Sequence, residues 1–408
     1  MGPASSKPRR FRPRPSPDVS RTPRLPQELL DEIMGHLADD YTSLRRCSTA
    51  ARTFVPPCRR LLFCRVVFRP HNLLTWKTTF PDPSTSPAAY TREIRIHLMP
   101  DAPMKLAEYM PYFSNVRDLT LVGGRCENYE WISSIGRLPT SIHSLTMKFV
   151  SVTNTQVRGI MEQLPNLDDF SLCTFKGSGF PDGAGEILKG RYCGKLELLL
   201  MDDFRASIVR SLLEAPQGLG FKTVKAFCNA EDDFPVYADL VAACRDTLTG
   251  LDISVSSEGN TLYEIALATA RADNPVAIII PGKNARTLDL SHHRSLEHLS
   301  FSLLSNFASC RWLSAALSTI DPTNSPRLST ISIYLYRHVP PARIVSETTL
   351  GDAAMKDLRD VGIEVKRIRA ESGGRVRFEV VIPLSWVMKP IQSAWPNALE
   401  DCSFRVEY

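Results

Sequence analysis

From residue 91 onward the chain repeats one short pattern, L-x-x-L-x-L, whose last two apolar residues share one face of a strand. Val116, Leu119 and Leu121 carry it, then Ile142, Leu145 and Met147, Leu167, Phe170 and Leu172, and Leu196, Leu199 and Met201. Fainter copies are Phe221, Val224 and Ala226, then Leu248, Leu251 and Ile253. Two later copies are Leu296, Leu299, Phe301 and Leu328, Ile331, Ile333, and Thr91, Ile94 and Ile96 precede the series. The copies up to Leu248 start about every 25–29 residues, a period of repeat architectures that add one strand and one helical segment per unit. The interval from Leu248 to Leu296 is nearly doubled, so a degenerate unit or an insertion lies there. Helical spacing fills several gaps, at Gln156–Leu164, Tyr237–Cys244 and Arg311–Ile320. The rhythm predicts an α/β solenoid over 90–336, each unit burying its apolar strand face only when a neighbour stacks on it.

The N-terminal part follows a different rhythm. Leu29, Leu30, Ile33, Met34 and Leu37 lie at helical spacing behind Pro26, with Glu28, Asp31 and Glu32 in the early turns, where the helix dipole favours acids. Asp40 caps a second predicted helix that carries Leu44, Cys47, Ala51, Phe54 and Val55 and stops at Pro56 and Pro57. A third short helix around Leu61-Leu62-Phe63 leads into a Val66–Phe68 strand. These elements make a helical module over 24–69, too small to bury much surface alone. The prolines of 70–89 predict a linker. At the other end, 337–408 reads as a β-rich cap: Ile363–Ile368 and Val376–Ile382 as a hairpin around Ser372-Gly373-Gly374, and Phe404–Tyr408 as a last strand.

Charge narrows the choice of partners. The net charge is +5, but the Pro- and Arg-rich tail over 1–23 concentrates it, and the rest of the chain is close to neutral. The tail's prolines forbid a helix, so it is expected to be disordered. The folded part therefore has no compositional case for binding nucleic acid. Ten cysteines occur without a C-x-x-C pair, and no N-x-S/T sequon or long apolar run is present. Buried free thiols in the cytoplasm or nucleus, with no membrane partner, are the expectation.

Motifs for chemistry are missing. There is no H-E-x-x-H, phosphate-binding P-loop or G-x-S-x-G. Gly282-Lys283-Asn284 lacks the hydroxyl that holds magnesium, and the cluster Gly177, Gly179, Gly183 and Gly185 does not satisfy G-x-G-x-x-G. Ser291-His292-His293 with His298 invites a metal reading, but His298 fits the exposed side of a strand and the other two a solvated loop. No enzyme, cofactor, catalytic residue or metal ligand is expected.

Residues 25–63 resemble the F-box motif. The resemblance rests on Leu25-Pro26-Gln27-Glu28-Leu29-Leu30-Asp31-Glu32-Ile33, Leu37, Leu44-Arg45-Arg46-Cys47-Ser48, Phe54, Val55 and Leu61-Leu62-Phe63. Many members end the second helix in Trp, where this chain has Phe54. With irregular leucine-rich repeats following, the order looks like that of the expanded F-box proteins of basidiomycete fungi. The resemblance implies that Leu25, Pro26, Leu29, Ile33 and Leu37 dock a Skp-type adaptor, which joins a cullin-RING ubiquitin ligase. The repeats would then hold a protein target. The alternative is a non-catalytic leucine-rich-repeat scaffold with a vestigial F-box. On the outward strand positions, Leu198, Leu200, Phe227 and Tyr334 are the candidate target anchors, because large apolar and aromatic groups tend to dominate interface energy.

Overall fold

The computed structural model describes residues 25–82, 86–98, 110–123, 139–150, 154–173, 192–199, 204–215, 218–229, 234–256, 288–304, 310–336, 352–382 and 402–406. The basic tail, Leu200, the cluster Gly177 to Gly185 and Gly282-Lys283-Asn284 lie outside them. The chain divides into two compact units, Met1–Cys64 and Arg65–Tyr408.

The first unit holds three short helices: α1 (Gln27–Gly35), α2 (Tyr41–Ala50) and α3 (Val55–Leu62). Asp40 caps α2 as its position predicts, its carboxylate accepting the Ser43 N–H at 3.0 Å. Helix α2 ends at Ala50, short of the expected stop at Pro56; a 3-10 turn, Arg52–Phe54, follows, and Pro56 and Pro57 lie in the first turn of α3. In a first helical turn a proline's missing N–H has no partner to lose. The core here is small: Met34, Leu44 and Cys58 are buried, with Leu37, Cys47, Phe54, Leu61 and Leu62 packed around them.

The second unit is α/β, built on one twelve-stranded sheet whose strands lie in sequence order. Neighbouring strands pair in parallel throughout. They are β1 (Arg65–Phe68), β2 (Glu93–His97), β3 (Asp118–Val122), β4 (Ser144–Lys148), β5 (Asp169–Cys173) and β6 (Lys195–Leu198). Then come β7 (Thr223–Asn229), β8 (Gly250–Ser256), β9 (His298–Leu304), β10 (Thr330–Tyr336), β11 (Arg377–Ile382) and β12 (Cys402–Val406). The crossovers carry helices α4 (Pro70–Thr79), α5 (Asn154–Gln163), α6 (Phe204–Leu213), α7 (Phe234–Ala243), α8 (Cys310–Ser318) and α9 (Asp352–Glu371).

Register places the repeated apolar residues in two continuous inward rows. Ile94, Leu119, Leu145, Phe170, Leu196, Val224, Leu251, Leu299, Ile331 and Phe378 form the first row, all buried. Ile96, Leu121, Met147, Leu172, Leu198, Ala226, Ile253, Phe301, Ile333 and Val380 form the second, also buried.

A corner ladder precedes β3, β4, β5 and β7 to β10. The N–H groups of Asp168 and Asp169 both donate to the His143 carbonyl, at 2.8 and 2.9 Å. Those of Glu297 and His298 do the same to Thr249. Side chains brace the same corners: Asn115 donates to the Ala89 carbonyl at 2.7 Å, Asn166 to Thr140 at 2.9 Å and Thr247 to Phe221 at 3.1 Å. Each of these groups binds the unit before it, which satisfies backbone carbonyls that would otherwise lose water without a replacement.

Four expectations need correction. Residues 70–79 of the supposed linker form α4, because Pro70 can start a helix and Trp76 then reaches Phe68 and Phe113, with ring centroids 5.3 and 5.5 Å apart. The strand beginning at Arg65 belongs to the sheet, not to the helical module. Residues Ile363–Ile368 are the end of helix α9 and not a hairpin strand. Leu358, Val361, Val365 and Ile368 are buried at helical spacing, while Ile363 is 61% exposed. Strands β11 and β12 extend the parallel sheet and do not form a separate cap. The doubled interval resolves as an insertion, since β8 pairs directly with β9 over its whole length.

Arg367 fastens α9 to the end of α8. Its guanidinium donates to the carbonyls of Leu317 and Ile320, both at 3.0 Å, and pairs with Glu364 and Glu371 at 2.7 and 2.6 Å. Arg375 donates to the carbonyls of Pro322 and Pro326 in the next turn. Both arginines supply donors to helix-end and turn carbonyls.

The two inward rows predict the response to truncation. Leu145→Ala or Leu172→Ala should each destabilise the second unit by about 2–5 kcal/mol, measured as a fall in the urea midpoint. A change within error would contradict their place in the core.

Candidate functional site

Helix α1 is apolar on more than one side. Leu30 and Met34 are buried, but Leu25, Leu29 and Ile33 are 55%, 44% and 46% exposed. Leu29 and Ile33 are four residues apart on α1, so at about 100° per residue they lie roughly 40° apart on the helix surface, while Leu25 is exposed ahead of the N-cap. Pro26 is exposed at the N-cap with extended backbone. Leu37 differs from the others, because it is half-buried against the Met34, Leu44 and Cys58 core. The structure thus sets Leu29 and Ile33 side by side on an accessible face of α1, leaves Leu25 and Pro26 exposed at its start, and gives Leu37 mainly a packing role.

Polar groups frame that surface unequally. Asp31 is held inside the unit, 3.1 Å from the Arg60 guanidinium of α3 and 2.7 Å from the Gln27 amide. Glu28 and Glu32 are exposed, and no ion pair engages either among the described residues.

The second surface is the outward face of the sheet. One row across it reads Thr120, Thr146, Ser171, Glu197, Lys225, Asp252, Ser300, Ser332 and Glu379. Ser171 donates to the Glu197 carboxylate at 3.0 Å, Lys195 reaches the same oxygen at 3.0 Å, and Lys225 lies 3.3 Å from Asp252. Burial alone would raise Glu197, but the Lys195 hydrogen bond and charge, with the Ser171 hydroxyl, hold its carboxyl below the usual range. Along this row the Lys225 cation stands between the carboxylates of Glu197 and Asp252, and Glu379 adds a third acid on β11. The next row places Phe227, Ser254, Ser302 and Tyr334 side by side on β7 to β10. Phe227 and Tyr334 are half-buried at these outward positions, with two serines between them.

Leu198 does not belong to this face. It is fully buried, pairing with Leu172 and Ala226, and Glu197 takes the outward position. The run Leu196-Glu197-Leu198-Leu199-Leu200-Met201 fits the repeat template in more than one register. The flanking charges decide between them: Lys195 and Glu197 share the outward face, where they pair at 3.0 Å, only when Leu196 and Leu198 point inward.

The histidine group separates on folding. His292 and His298 are exposed, whereas His293 is buried and its Nε2 lies 3.1 Å from the Val241 carbonyl. It links two parts of the chain far apart in sequence, a structural role that its polar neighbours conceal. Among the described residues, no group of three or more His, Cys, Asp or Glu side chains could hold a metal ion. Of the buried thiols, Cys244 is pushed up to about 11 by burial, and Cys310 is driven higher by the same cause. Among the described residues, no helix is long and apolar enough to cross a membrane. No protein-family model matches the chain, and no curated protein matches it.

Burial lowers His293 below the ordinary histidine value, with the Val241 carbonyl opposing in part, and burial lowers His97 too. The unfolded chain then takes up these protons first as pH falls below about 6.5. Stability should be complete above that pH and should drop between pH 7 and pH 5. Urea midpoints across this range should show the drop, and His293→Gln should flatten part of it. An unchanged slope would contradict a buried neutral imidazole.

Proposed function

We propose that this chain is a non-catalytic substrate receptor. In this reading α1 docks a Skp-type adaptor of a cullin-RING ubiquitin ligase, and the outward face of the sheet holds a protein target. The observation that carries the reading is the exposed pair Leu29 and Ile33 on a helix whose opposite side already fills its own small core, with Leu25 exposed just ahead of it. Burying one such side chain is worth about 1.5–3 kcal/mol, so two aligned on one helix face, with a third at its start, suit a partner's groove. The same residues carry the F-box resemblance, together with Pro26 and, less directly, Leu37.

The sheet supports the second half of the reading. Its outward face is continuous across the strands, mixes hydroxyl, charged and aromatic groups, and lacks the clustered cations that a polyanion demands. Receptor function then works by proximity: tethering raises the target's local concentration beside the ligase.

Replacing Leu29 and Ile33 by Asp should abolish co-purification of a Skp-type adaptor with the full chain. Because both side chains are exposed, circular dichroism should show the fold retained. Undiminished adaptor binding by a folded double variant would exclude the docking assignment and leave a repeat scaffold. Alanine at Phe227 and Tyr334 should leave adaptor binding intact and reduce recovery of target proteins severalfold. Normal recovery would move the target site off this face.

A further inference from the structure

Resting on the adaptor reading above, we infer that the surface docking on α1 presents a basic lip along one edge of its apolar groove, facing Glu28 and Glu32. The two edges of the exposed stripe differ in kind. Projected down the helix at about 100° per residue, Glu32 and Glu28 follow Leu29 on one side, while Ile33, Leu30 and Met34 follow it on the other. One edge therefore runs into the unit's own core, and only the acidic edge remains open to the rim of a partner.

The contrast with Asp31 sharpens the point. The third acid of α1 has its cation, Arg60, inside the unit. Glu28 and Glu32 engage no cation among the described residues, although both border the stripe that a partner would cover. Covering it removes water from the flanks of both carboxylates. A partner without positive charge there would impose that desolvation with no return, whereas lysine or arginine opposite them offsets it and speeds encounter. The occupant is thus a protein groove with an apolar floor and a cationic margin on the side of Glu28 and Glu32.

The experiment measures binding of a purified Skp-type adaptor to the full chain by surface plasmon resonance at low and high salt. Glu28→Lys with Glu32→Lys should weaken binding about tenfold at low salt, mostly through a slower association rate. Glu28→Gln with Glu32→Gln should fall between that variant and the native chain, which guards against a folding defect in the lysine pair. The differences should shrink as ionic strength rises. Equal or tighter binding by the lysine variant, with native chain and adaptor associating normally, overturns the basic lip and leaves apolar docking intact. If the native chain binds no adaptor at all, the receptor reading and this inference fail together.

Discussion

The open edge of a parallel sheet is the constraint on which the larger unit depends. A strand laid on that edge leaves unpaired N–H and C=O groups and an uncovered row of apolar side chains. Here the next unit of the chain covers both at once, from β1 to β12. The corner ladder makes the arrangement tight, since two successive N–H groups of one unit share a carbonyl of the unit before, as at His143 and Thr249. Asn115, Asn166 and Thr247 bind the same seam with side chains. Stability in such a stack is close to a sum of units and their interfaces. A weak unit is therefore carried by its neighbours, which explains how a row containing Ala226 remains in register with rows of Leu and Phe.

The three-helix unit solves a different problem. With Met34, Leu44 and Cys58 as its buried centre, it has little interior to offer. Even so, α1 devotes residues to both sides, with Leu30 and Met34 turned in and Leu29 and Ile33 turned out. A helix apolar over that much of its circumference cannot be satisfied by so small a core, and the surplus faces solvent or a partner. Among the described residues, Asp31 is the acid of α1 that pairs with a cation of the same unit, Arg60 of α3.

Most of the sheet was legible in the sequence because a strand repeat imprints itself directly as spacing. The inward pairs at Leu119, Leu145, Phe170, Leu251, Leu299 and Ile331 were all readable, and so was the helix spacing of Leu29 and Ile33. Failures came where spacing was ambiguous. Four consecutive apolar residues from Leu198 allowed the wrong register, and the flanking Lys195 and Glu197 were the signal that would have corrected it. The alternation of Ile363 and Val365 imitated a strand, although the longer period through Leu358, Val361 and Ile368 marks a helix. His293 looked solvated among polar neighbours, since a single long-range carbonyl contact leaves no periodic trace. The bracing residues were missed for another reason. They are an Asn or a Thr set ahead of the strand, where the apolar spacing carries no information.

The direct pairing of β8 with β9 has an evolutionary corollary. The ladder between these two neighbouring strands fixes their register without fixing how many residues connect them. Lengthening such a connection costs only closure entropy, about 0.6 kcal/mol for each doubling. The architecture thus has a junction where new sequence can accumulate, diversify and be selected while the hydrogen-bonded frame on either side stays unchanged.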